Sequence, residues 1–106
     1  MSDCSGWIVR SKAGHDKGTL LCVVGEAEDF LLLADGKTRK AAAPKRKKRS
    51  HVEVADAGTF GHPALEKLRG GQPVFDSELR RALAAFRDQS DGEGGGNSAV
   101  MQRSRR

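Results

Sequence analysis

Lysines and a histidine spaced through a glycine-bearing stretch, Val9-Arg10-Ser11-Lys12-Ala13-Gly14-His15-Asp16-Lys17-Gly18, are the residues of this chain best fitted to hold an anion. Gly14 and Gly18, four apart, let the backbone enter positive φ and approach a phosphate closely, so that amide N–H groups face the ligand. Lys12 and Lys17 add charge, and His15 adds a ring that can donate or stack. A second cationic segment follows, with Lys37, Arg39 and Lys40, then the run Lys45-Arg46-Lys47-Lys48-Arg49, then His51. Eight cations between positions 37 and 49 repel one another until a polyanion neutralises them, which predicts phosphate contacts and a steep dependence on salt. Three other readings fit the same residues: glycines that only shape a tight turn, a basic run that is a solvated loop, or a nuclear localisation signal.

Other chemistry is poorly supplied. His15, His51 and His62 lack ligand-like spacing with Cys4 or Cys22, so no metal site is expected. No Ser-His-Asp arrangement, paired-carboxylate helix or nucleotide-binding glycine loop occurs, and neither enzyme activity nor a cofactor is expected. Two cysteines make no disulfide framework, and Cys22 inside an apolar run reads as a buried free thiol. The chain has no Tyr and only 5% aromatic residues, so phosphate and shape recognition should dominate over stacking. Trp7, at a strand start, is expected to cover the core, with stacking on a base as the alternative.

The elements that position these groups can be read from punctuation. Strands are predicted at about Trp7–Arg10, Thr19–Val24, Phe30–Ala34, Lys37–Lys40 and His51–Val54, where apolar or β-branched residues cluster between breakers. The runs 20–24 and 30–34 are almost wholly apolar, as expected of strands buried on both faces. The acidic link Gly25–Asp29 predicts a hairpin, and Asp35-Gly36 a two-residue one leading into a basic fourth strand. Pro63 to Arg69 predicts a short helix stopped by Gly70-Gly71, and Asp76 or Ser77 caps a second helix running to about Asp88. There Leu79, Leu83 and Phe86 form one apolar stripe that must pack on something, the barrel being the nearest candidate. From Gln89 the composition turns to Ser, Asp, Gly and Arg and predicts disorder.

The fold class expected is therefore mainly β: a flexible start at 1–5, a small five-stranded barrel at 6–55, a helical appendage at 56–88 packing on it, and a disordered tail at 89–106. A chain of 106 residues leaves no room for a large cleft. Its formal charge of +5 is concentrated in the first half, where 11 basic residues face 7 acidic ones up to Val54. The start MSDCSG lacks a signal-peptide pattern and the longest apolar stretch is five residues, so a soluble, cytoplasmic monomer without membrane contact is expected.

Gly6 to about Val54 resembles a KOW-type SH3-like domain, of the sort found in eukaryotic-type large-subunit ribosomal proteins and their small bacterial relatives. The phrase from Val9 to Gly18 carries most of the likeness, joined by Leu31-Leu32-Leu33-Ala34-Asp35-Gly36 and by Pro44-Lys45-Arg46-Lys47-Lys48-Arg49-Ser50-His51, with 76–87 similar to a short helix of some relatives. Trp7 departs from the pattern, which favours small or charged residues there. The resemblance implies an RNA-binding protein, with ribosomal RNA and the large subunit as partners. It implies RNA contacts at Lys12, His15 and Lys17, with Gly14 and Gly18 shaping the loop. A protein-interaction barrel of the transcription elongation kind, exposing Trp7, Phe60 or Phe75, and an adaptor using the Leu79 stripe are the alternatives.

Overall fold

The computed structural model describes residues 4–15 and 17–94 and, for 90–94, the backbone alone. Five antiparallel strands make one sheet: β1 (Ile8–Ser11), β2 (Leu20–Ala27), β3 (Phe30–Ala34), β4 (Lys45–Lys48) and β5 (Val52–Asp56), in the spatial order β4-β3-β2-β1-β5. Helices α1 (Pro63–Arg69) and α2 (Asp76–Gly94) follow. β4 and β5 lie at opposite edges, yet a single 3-10 turn, Arg49–His51, joins them. So short a link requires the sheet to roll until its edges approach, which makes an open barrel.

Both faces of the central strands are buried. One face carries Val9, Leu21, Val23, Leu31, Leu33 and Val52, with Trp7 packed against them. The opposite face carries Ile8, Leu20, Cys22 and Ala34, and these meet Leu65 and Leu68 of α1 and Leu79, Leu83 and Phe86 of α2. That two-sided burial is why the β2 and β3 sequences read as unbroken apolar runs. The α2 stripe is wholly spent on the barrel, and each Leu so buried contributes about 2 kcal/mol of transfer free energy. An adaptor built on that stripe has no surface left.

The predicted helix at 63–69 is found with the expected boundaries: Pro63 opens it, the His62 ring accepts the Ala64 amide, and Gly71 at φ 77° follows its end. Helix α2 runs past Asp88 to Gly94, so residues 89–94 are helical where disorder was expected; the rest of that expectation lies outside the described residues. At the other end Cys4 is buried and its amide donates to Glu26, so position 4 belongs to the fold, not to a flexible start. Both cysteines are free thiols.

One strand prediction and one hairpin prediction need correction. Lys37–Lys40 is a turn, and the fourth strand is the basic run itself, Lys45–Lys48, paired with β3 from Leu33↔Lys45 to Phe30↔Lys48. The cause lies in Asp35, whose carboxylate Oδ1 accepts the amides of Lys37 (2.9 Å) and Arg39 (2.8 Å) while the Arg39 carbonyl accepts those of Asp35 and Gly36. The chain thus folds on itself instead of extending, and Asp35-Gly36 opens a connection spanning 35–44 rather than a two-residue hairpin. Between β2 and β3 the hairpin is tighter than expected, turning on Glu28-Asp29 with Glu28 at φ 57°, while Gly25 sits at a bulge.

The 35–44 connection is fastened to the start of α2. Asp76 Oδ1 accepts the Ala41 amide at 2.7 Å, and the Arg80 guanidinium donates to the Gly36 carbonyl. Gly36 has φ 79°, and a Cβ added there would overlap the Asp76 carbonyl oxygen. After β5, Asp56 makes a similar knot: Oδ2 accepts the amides of Gly58, Thr59 and Phe60, and Oδ1 the Thr59 hydroxyl, which sets Phe60 edge-on to Phe86 at 5.3 Å. Burial alone would raise the Asp56 carboxyl, but these four hydrogen bonds outweigh it and hold it below its ordinary value.

Two outcomes follow from these knots. Gly36→Ala is expected to cost at least about 2 kcal/mol, read as a lower urea midpoint at unchanged slope. Because its folded value is depressed, Asp56 contributes stability that is complete above the ordinary aspartate value of 3.8 and is lost as pH falls through the lower folded value. Asp56→Ala should therefore lower stability at neutral pH by about 1 kcal/mol after solvent screening, and should flatten the acid limb of a thermal-melting series.

Candidate functional site

The glycine-bearing loop is held from its inner side. Gly14 (φ 85°) and Gly18 (φ 88°) take the positive φ their spacing called for. The amides of Lys12, Lys17 and Gly18 donate to the carbonyls of His51 (2.8 Å), Gly14 (3.2 Å) and Ser11 (2.7 Å), and Arg10 donates to the Gly18 carbonyl. Three loop amides are thus engaged within the fold instead of facing an anion. What the loop presents outward is the exposed side chains of Lys12, His15 and Lys17.

The basic run divides by strand alternation. Lys47, read as an RNA-contacting cation, is 7% exposed; its Nζ donates to Ser11 Oγ (3.0 Å) and to the Ala13 carbonyl (2.8 Å), tying the edge strand to the loop. Lys45 faces the same side and is half-buried. Arg46 and Lys48 face outward, with the Arg46 guanidinium 4.5 Å above the Phe30 ring. Arg49 pairs with Glu26 and donates to Cys4 Sγ at 3.4 Å, and that hydrogen bond, more than the nearby carboxylate, holds its charge more firmly than usual. The run is therefore not a row of cations turned to one ligand. Its charges also keep an edge strand from pairing with other chains.

The cations that do converge gather about the turn 35–39. On one side of it lies a depression of about 190 Å³, lined by His15, Thr19, Leu21, Asp35, Thr38 and Arg39. On the other lies one of about 150 Å³, lined by Asp35, Lys37, Arg80, Leu83 and Arg87. The loop through His15, the turn through Lys37 and Arg39, and α2 through Arg80 and Arg87 thus line two depressions that share Asp35, whereas Lys12 and Lys17 of the predicted set are exposed but line neither. None of these makes an ion pair with a carboxylate among the described residues. Beneath the surface, burial pushes the Cys22 thiol up to about 12, and Asp35 adds to that shift while Arg87 opposes it. Lys40 and His51 are exposed away from both depressions.

Arg80 and Arg87 escaped the sequence reading because they stand among the eight charged residues of an amphipathic helix. A usable signal existed: seven residues apart, they share one side of α2 at the margin of the Leu79, Leu83, Phe86 stripe, so whatever that stripe docks on receives both. A separate apolar groove of about 440 Å³ runs between Val24, Leu32, Pro44, Leu68 and Val74, beside Phe75, which is 77% exposed. Among the described residues no three His, Cys, Asp or Glu side chains stand together as metal ligands, and no helix is long and apolar enough to cross a membrane. No protein-family model and no curated protein matches the chain.

The buried lysine gives a separable test. Lys47→Ala leaves the Ala13 carbonyl without its charged donor and should cost about 2 kcal/mol in urea denaturation, whereas Lys48→Ala, on the outer face, should stay within about 0.5 kcal/mol of the parent.

Proposed function

We propose that the protein is a non-catalytic RNA-binding protein of the cytoplasm that attaches to ribosomal RNA on the large subunit through phosphate contacts. The observation that carries the reading is the gathering of cations from separate segments about the two depressions, Lys37 and Arg39 from the turn and Arg80 and Arg87 from α2, with Lys12 and Lys17 exposed on the loop whose His15 lines the first of them, and none of these in an ion pair with a carboxylate among the described residues. Surfaces that assemble like charge from distant parts of a chain lose stability through repulsion unless a polyanion relieves it. Arg46 and Lys48 extend the positive potential along β4 without belonging to the same depressions. The likeness of the 9–18 segment to KOW loops points the same way.

The second reading, a protein-interaction barrel, is favoured by one feature only, the apolar groove beside Phe75. The other suspected contact residues are partly spent on the fold, Phe60 half-buried against Phe86 and Trp7 half-buried against the barrel core.

The direct test is RNA affinity across a salt series. Each phosphate contact contributes roughly −0.7 to the log–log slope on single strands and −0.9 on duplex. Lys37→Ala with Arg87→Ala should weaken binding uniformly across sequences and reduce the slope by about 1.4 to 1.8, whereas Lys47→Ala, corrected for its loss of stability, should leave the slope unchanged. Sedimentation of the endogenous protein through sucrose gradients at low and high salt tests the ribosomal assignment: large-subunit fractions should hold it at low salt and release it at high salt. Protein confined to the top of the gradient at both salts would turn attention to the apolar groove.

A further inference from the structure

The 190 Å³ depression differs in character from a phosphate site. It lies over the core residue Leu21, and its lining combines acceptors and donors: the Asp35 carboxylate, the Thr19 and Thr38 hydroxyls, and the Arg39 guanidinium. A small depression lined by hydrogen-bonding groups of both kinds is the complement of a heterocyclic base, not of a phosphate, which offers acceptors alone. The volume is far below the roughly 300–1,000 Å³ of drug-sized ligand sites and suits a single ring system. His15, exposed on the rim, supplies a ring for stacking.

Two details sharpen the assignment. The Nε–H of Arg39 is buried and has no acceptor, a state that native structures seldom leave unexplained. The other such atom, Arg69 Nε, sits in the packed contact beneath Gly6 and lines neither depression. Asp35 makes its turn through Oδ1 alone, and no donor among the described residues reaches Oδ2. A carboxylate oxygen open to donors and a guanidinium whose hydrogen-bonding capacity is not met within the fold match the Watson–Crick edge of guanine, which presents N1–H and N2–H₂ beside O6. Across the 35–39 turn the second depression, with Lys37, Arg80 and Arg87, stands where an adjoining phosphate would be neutralised.

We infer that the depression between the glycine-bearing loop and the 35–39 turn is a subsite for one unpaired guanine of an RNA, with the adjoining phosphate held by Lys37, Arg80 and Arg87. The inference rests on the RNA-binding reading. An unpaired base is required because a base within a duplex has its Watson–Crick edge already engaged and its faces stacked.

The experiment uses the full chain and five RNA stems labelled with fluorescein, identical except for one position: fully paired, or bulged with a single G, A, C or U. Fluorescence anisotropy at fixed salt should show the G-bulged stem bound about tenfold or more tighter than the other four. Asp35→Asn keeps an Oδ1 acceptor for the turn while replacing the other oxygen with a donor, and Arg39→Met removes the orphaned donor. Either should abolish the preference while retaining most affinity for the paired stem; a melting curve confirms folding, and the comparison among stems in the parent protein stands without any variant. Equal affinity for all five stems overturns the subsite and leaves RNA binding intact. A preference for another bulged base overturns the assignment to guanine. Absence of binding to every stem, the paired one included, overturns the RNA reading and the subsite with it.

Discussion

The anchoring of the 35–44 connection to the start of α2 is the constraint on which the surface features depend. Asp35 folds the connection back on itself, Arg80 holds its Gly36 carbonyl, and Asp76 holds the Ala41 amide, while the absence of a side chain at Gly36 lets the two backbones touch. Without that contact the turn would have no fixed relation to the helix, and the depression lined by Lys37, Arg80 and Arg87 would not exist. The contact also explains why a polar turn rich in lysine stays ordered: its amides and carbonyls find partners inside the fold, so its side chains are left to solvent or ligand.

A second dependence runs through Lys47. An edge strand of four basic residues has poor intrinsic strand preference, and pairing with the apolar β3 is what makes it one. Its third residue then points beneath the loop, and burying an ammonium there is tolerable because Ser11 Oγ and the Ala13 carbonyl surround it. The outcome is a loop whose inner carbonyls are drawn toward the barrel and whose outer side chains are free. The same lysine therefore shapes the loop without being available to what the loop binds.

These two anchors mark the boundary of what was legible in the residues. Strands β1 to β3 and helix α1 follow local rules, apolar continuity and Pro or Gly punctuation, and were readable to within a few positions. The fate of the basic segment was not, because turn or strand at 37–40 and 45–48 was decided by partners distant in sequence: Asp76 and Arg80 for the turn, Leu31 and Leu33 for the strand. Composition counted eight cations between 37 and 49 alike, yet folding buries Lys47, pairs Arg49 with Glu26, lays Arg46 over Phe30 and leaves Lys37 beside two arginines from α2. Charge density in a sequence predicts that a polyanion is welcome. Which cations meet it is a matter of register.

Register also bears on what such a surface can discriminate. Phosphate contacts made by long, solvated lysines confer affinity that is nearly blind to sequence and sensitive to salt. Discrimination requires groups whose positions are set before binding, and the turn supplies one: the Asp35 carboxylate is held through Oδ1 by the hydrogen bonds that make the turn, which also fix the backbone of Arg39. The entropy of ordering that carboxylate is already met on folding, so a base entering the inferred subsite would encounter an acceptor at a set position. In the inferred subsite a chain poor in aromatic residues would thereby read a base with His15 as its one stacking ring, provided the turn that carries the acceptor is as firmly held as this one is by α2.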